Sequence, residues 1–174
     1  MILKRLLLLA SFILPGVLYC QANVTLTLPV VTLMDIEPAG SISMNFTAPT
    51  EAGNPLGNSA PNTSKWINYT SAITSGGLTR KITAYISTDL ITGVDVKLQA
   101  ATASGAGGGT LGTPSAQVTL TQTPITIISG IGGAYTGNGA NNGHRLTISL
   151  VPNTYASLKA QSNIAVNIVY TITE

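Results

Sequence analysis

Val94-Asp95-Val96-Lys97-Leu98-Gln99-Ala100 places Val94, Val96 and Leu98 at every second position and fills the gaps with Asp95, Lys97 and Gln99. An extended chain turns that pattern into one apolar and one polar face, whereas a helix would scatter it around its circumference. The same alternation recurs on both sides. Upstream, residues 80–88 put Ile82, Ala84 and Ile86 on one side, and residues 41–46 put Ile42, Met44 and Phe46 against Ser41, Ser43 and Asn45. Downstream, residues 144–151 give Leu146, Ile148 and Leu150, and residues 163–173 give Ile164, Val166, Ile168, Tyr170 and Ile172. Shorter runs occupy residues 65–71, 117–121 and 125–128. At the other end Val24, Leu26 and Leu28 share a face against Thr25 and Thr27, and after Pro29 the chain continues extended to Ile36. Eight or nine runs rich in β-branched residues, separated by Gly, Pro and Asn, predict an all-β protein, an antiparallel β-sandwich of Greek-key type. No segment predicts a helix longer than one turn, at residues 155–161.

Composition agrees with a single packed domain. The 174 residues are 44% hydrophobic but only 8% charged, against roughly 25% charged in an ordinary soluble domain. Apolar content at that level argues against simple disorder. The polar surface must come from Thr, Ser, Asn and Gln, and the chain lacks the basic stripe that a nucleic-acid binder needs.

Residues 1–22 read as a signal peptide. Lys4 and Arg5 precede a mostly apolar stretch from Leu6 to Leu14, which Pro15 and Gly16 break, and which is too short to span a bilayer. Cys20-Gln21-Ala22 places cleavage before Asn23, leaving residues 23–174 as one domain. Lipidation at Cys20 is the competing outcome, but it favours a small residue just before the cysteine, and Tyr19 stands there. Export would remove Lys4, Arg5 and the single Cys, so six bases would face six acids and no disulfide would be available. The expected location is therefore secreted or cell-surface. No later stretch reads as a transmembrane segment, and the chain stops at Glu174 directly after a strand pattern, with no room for a sorting tail.

Residues that could do chemistry are sparse. His144 is the one histidine and stands at the start of a strand pattern, where a turn residue bonding the Asn141-Asn142-Gly143 backbone is preferred over a general base. One His and no mature Cys cannot build a zinc site. Asp35 and Glu37 point the same way from one strand, which is poor glycosidase geometry, because the two acids must flank the scissile bond. Asp89 and Asp95 bracket Gly93 without EF-hand spacing, so turn capping is the better reading. Gly107, Gly109 and Gly112 fit G-x-G-x-x-G formally, yet Thr113 and Pro114 follow where a helix should open. No cofactor, metal or catalytic residue is predicted. Three segments, residues 47–64, 102–115 and 130–143, read as long loops.

Ile127-Ile128-Ser129-Gly130-Ile131-Gly132, Tyr135-Thr136-Gly137, Asn141-Asn142-Gly143-His144 and the closing Val169-Tyr170-Thr171-Ile172, with Trp66-Ile67-Asn68-Tyr69, resemble a group of small secreted bacterial β-sandwich proteins over most of the mature chain. A looser similarity is to pilin-like and WxL-type surface domains, without the cysteine pair of many pilins or a paired Trp-x-Leu motif. The resemblance implies export and fold, and assigns no activity.

Two functions follow as expectations. The first is a non-catalytic structural or adhesive surface protein, a fimbria-like or pilus-like subunit that self-associates by strand donation. Its candidate assembly strand is Asn23, Val24, Thr25, Leu26, Thr27 and Leu28, which carries none of the charges that normally guard a sheet edge. The alternative is that this strand pairs within its own fold. The second function is a carbohydrate-binding module, with Trp66, Tyr69 and Tyr85 as candidate glycan contacts. Trp66 and Tyr69 fall on opposite faces of their strand, which weakens a shared stacking platform.

Overall fold

The computed structural model describes residues 21–174. The expected signal peptide, Cys20 included, lies outside the described residues except for Gln21 and Ala22. The all-β, antiparallel class read from the alternation is the one the structure has. Nine strands form one sheet: β1 (Val31–Glu37), β2 (Asn62–Ala72), β3 (Arg80–Ile86), β4 (Val94–Ala100), β5 (Gly108–Pro114), β6 (Val118–Thr119), β7 (Ile125–Tyr135), β8 (His144–Pro152) and β9 (Ile168–Thr173). A single 3₁₀ turn, Tyr155–Ser157, falls in the stretch where one helical turn was expected.

Along the ladder the order is β6-β4-β8-β2-β7-β3-β9, with β1 added to β2 and β5 added to β7. The two eleven-residue strands, β2 and β7, make this branching possible because each changes partner along its length. β2 pairs with β8 through Asn62 to Ile67 and with β7 at Thr70 and Ser71, while β1 runs along Trp66 to Ala72. The sheet also curls back on itself. Leu120 donates its N–H to the Val96 carbonyl and Ile86 donates to the Thr121 carbonyl, so the chain after β6 ties β4 to β3 across the ends of the path. Ile67, Ile82, Leu98, Ile128, Ile131 and Leu146 come together in the resulting core with no exposed surface.

β4 shows how local pattern becomes structure. Val96, Leu98 and Ala100 are buried, Gln99 faces water, and all seven residues pair with β8 from Val94 opposite Pro152 to Ala100 opposite Leu146. β3 alternates in the same way, with Ile82, Ala84 and Ile86 inside.

Five segments depart from the expected pattern. Residues 102–115 were expected to be a loop but contain β5, and the 130–143 stretch begins inside β7. Glycine hides β5 and the second half of β7 from a periodicity reading, since it carries no side chain to alternate, yet it is what lets them approach. Gly109 has φ +87°, and a Cβ there would stand 2.2 Å from the Gly133 carbonyl oxygen; at Gly112 it would meet the Ser129 carbonyl at 2.7 Å. The register between β5 and β7 shifts between Gly109 and Leu111, as a bulge requires. The formal G-x-G-x-x-G match therefore runs into a strand and opens no helix. In the opposite sense, residues 23–28, 41–46 and 163–167 have strand-like sequence but join no ladder. Alternation supplies the side chains of a strand, while a ladder also needs a neighbour for its backbone.

Candidate functional site

Residues 21–30 form an arm ahead of β1, and every one of them is exposed. Val24, Leu26, Leu28 and Val30 are 88%, 86%, 80% and 56% exposed. Four apolar side chains therefore stand at alternate positions on a chain segment that no strand pairs. The arm meets the sheet at Val31, whose carbonyl accepts a hydrogen bond from Arg80 Nη1 at 2.6 Å. The same nitrogen donates to Ser71 Oγ at 2.9 Å, and the guanidinium is almost wholly buried. Arg80 thus fixes the point where the arm leaves β1, β2 and β3. Its ion pair with Glu174 is long, at 3.9 Å, and Glu174 is exposed.

Elsewhere on the molecule a groove of about 580 Å³, lined by apolar side chains together with Asn45, Thr92, Lys159, Gln161, Ser162 and Asn163, opens between residues 41–46 and 159–168. Ile42, Met44 and Phe46 line one wall, Ile164, Val166 and Ile168 line the other, and Val96, Ile148 and Leu150 lie at its base. Residues 41–46 keep their predicted alternation, with Ile42, Met44 and Phe46 half-buried and Ser41, Ser43 and Asn45 exposed. Leu56 donates its N–H to the Tyr155 hydroxyl, which pins the 47–61 loop against the 3₁₀ turn. Lys65, buried on β2, anchors the near end of residues 41–46 by donating to the carbonyls of Pro38 at 2.5 Å and Gly40 at 2.6 Å.

His144 is fully buried, and its partners differ from those expected. Instead of the 141–143 backbone, its Nδ1 lies 2.8 Å from the Ala101 carbonyl, the shorter of its two carbonyl contacts, which favours the ring proton on Nδ1. Nε2 faces the Tyr69 hydroxyl at 3.0 Å and the Leu111 carbonyl at 3.2 Å. The Tyr69 hydroxyl gives its single proton to the Leu111 carbonyl, and the two rings stack with centroids 5.8 Å apart. Burial lowers the His144 pKa below the ordinary imidazole value, against the opposing pull of the Ala101 and Leu111 carbonyls. Burial likewise pushes the Tyr69 hydroxyl upward. The pair is a neutral internal brace joining β2, β5 and β8, with no edge open to a substrate. The 141–143 turn is held by Asn142 instead: its carbonyl accepts from Asn68 Nδ2 at 2.6 Å and its Oδ1 from the Ala106 N–H at 2.9 Å.

Tyr69 is therefore withdrawn as a glycan contact: it is 3% exposed and its hydroxyl is occupied. Trp66 and Tyr85 are half-buried on outward faces, but the structure does not bring them together. Trp66 pairs with Glu37 and Arg145, Tyr85 pairs with Val169, and β7 separates their two strands. Asp95 accepts from Asn153 Nδ2 at 2.5 Å, and Gly93, with φ +82°, makes the turn before β4. Among the described residues no group of three or more His, Cys, Asp or Glu converges as metal ligands, and no helix is long and apolar enough to cross a membrane.

What sequence reading missed is the groove. Its walls were both legible as strands, but nothing in the pattern said that they would stand without partners. No family model, curated protein or solved structure matches the chain.

Proposed function

We infer that the chain is an exported, non-catalytic structural or adhesive subunit of a surface assembly, fimbria-like in that it joins a neighbour by giving up its N-terminal strand. The observation that supports this reading is the arm. Residues 23–28 carry no charge, alternate apolar and polar side chains, and lie exposed with no strand beside them. Fully burying a Val or Leu side chain is worth roughly 1.5–3 kcal/mol, so Val24, Leu26 and Leu28 together offer several kcal/mol to any surface that covers them. An uncovered strand of this kind is a sheet-pairing hazard for a monomer and a joint for a polymer. Backbone hydrogen bonds would hold the added strand, and alternate side chains would set its register.

Deleting residues 23–28 tests the reading. The expected result is a folded protein with unchanged far-ultraviolet circular dichroism that no longer forms the oligomers or fibres expected of the intact chain, with light scattering and electron microscopy as the readouts. A deletion variant that assembles as the intact chain does would refute it, as would an intact chain that stays monomeric at high concentration.

A further inference from the structure

We propose that the groove between residues 41–46 and 159–168 is the acceptor for residues 23–30 of a second copy of the chain, which enters it as an added strand. This rests on the strand-donation reading and names the surface that receives the strand.

The walls of the groove are the first argument. Among the described residues, neither 41–46 nor 159–166 makes a backbone–backbone hydrogen bond, although 41–46 has strand periodicity and 163–166 continues directly toward β9. Residues 41–46 and 164–166, with unpaired N–H and C=O groups beside one trough, present what a sheet presents when a strand is missing, while Ser162 and Asn163, the latter at φ +56°, bend the chain just ahead of the second wall. The lining is the second argument. Lys159 is its one charged residue, and an arm without charges brings no unpaired ion into it. The period-two face of Val24, Leu26, Leu28 and Val30 is the form of side-chain row that such a trough accepts.

Reach decides between the chain's own arm and another copy's. The arm starts at Val31, bonded to Arg80 at the beginning of β3. The groove meets β9 at Ile168, which pairs with Ile86 at the far end of β3. Those six steps span about 20 Å at roughly 3.3 Å per residue, and the eight residues 23–30 reach about 27 Å at most. A chain's own arm would spend nearly all its length alongside β9, leaving Leu26, Leu28 and Val30 short of the groove. A second copy's arm has no such tether.

The test uses purified residues 23–174, which carry no cysteine of their own. Chains carrying Leu26→Cys are mixed with differently tagged chains carrying Met44→Cys or Val166→Cys, and oxidised under conditions where the intact protein assembles. The expected product is a mixed disulfide-linked dimer, at least tenfold above the yield with Leu33→Cys, which lies on exposed β1 surface away from the groove. Val166→Glu is expected to weaken assembly at least tenfold. Because that variant can lose its fold, a free peptide of residues 23–30 is added to unmutated chains, and it should block assembly where its Leu26→Asp form does not. Assembly that persists without cross-linking at the groove overturns the acceptor while leaving strand donation standing. Linkage only within a chain carrying both Leu26→Cys and Met44→Cys overturns the second copy as occupant. An intact chain that never assembles removes both.

Discussion

Replacing Gly109 with Ala should unseat β5, and comparison with Gly130→Ala isolates the reason. Both glycines have positive φ, +87° at Gly109 and +72° at Gly130. An L-residue in that backbone region costs roughly 1–2 kcal/mol, so conformation alone predicts similar losses. Their surroundings differ. Nothing lies within 4 Å of a Cβ built at Gly130, whereas at Gly109 it meets the Gly133 carbonyl oxygen at 2.2 Å and the Ala134 Cα at 2.9 Å. Those are backbone atoms of β7 and cannot rotate away. Relief requires β5 to part from β7 near the Gly109–Ala134 pair, with two or three ladder hydrogen bonds lost at roughly 1 kcal/mol each. Gly130→Ala should therefore lose about 1–2 kcal/mol and Gly109→Ala about 3–5 kcal/mol, measured as midpoint shifts in urea at unchanged m-value. Amide exchange should quicken along β5 in the Gly109 variant alone. Equal destabilisation by the two substitutions would refute the claim that close strand approach is what requires glycine at 109.

His144 supplies a pH test with a definite sign. Its pKa is lowered by burial, so below about pH 6.5, the ordinary value, the unfolded chain takes up the proton first. The stability it contributes is present above that pH and is lost as the pH falls toward the folded-state pKa. The urea midpoint should decline between pH 7.5 and 5, and His144→Gln should flatten that decline; an unchanged slope in the variant would count against a buried neutral imidazole. Arg80→Met should destabilise by about 1–3 kcal/mol, because it leaves the Val31 carbonyl without its donor, with faster amide exchange at the start of β1 as the readout; Glu174→Gln should shift stability by less than about 0.5 kcal/mol, since the pair is long and solvated. Trp66→Ala and Tyr85→Ala, singly or together, should leave retention on polysaccharide columns unchanged, and a clear loss would restore the glycan-binding reading.

Alternation that includes charged residues was the most legible feature. Asp95, Lys97 and Gln99 could face only water, so the seven residues of β4 were readable to their ends. Glycine-rich sequence was the least legible, because β5 depends on the close approach its glycines permit to β7, with Leu111 packed against the core. Polar burial was hidden for a related reason. Nothing local tells that Lys65 will reach back to the Pro38 and Gly40 carbonyls, or that His144 will meet Ala101 and Tyr69, since those partners lie 25 to 75 residues away in sequence. The arm was legible as an unguarded apolar strand. That residues 41–46 and 163–166 would also lie unpaired depends on the number of strands the curled sheet recruits, a property of the whole chain and not of any segment.

The bond between Arg80 and Val31 also bears on how the molecule would carry a mechanical load. A pull on the arm is delivered first to Val31 and then to β1, which lies antiparallel to β2 over seven uninterrupted pairs from Val31–Ala72 to Glu37–Trp66. Because ladder bonds run perpendicular to their strands, tension directed along β1 shears all seven positions at once and does not peel them apart singly. The guanidinium sits at the head of that array, at the residue where the tension arrives.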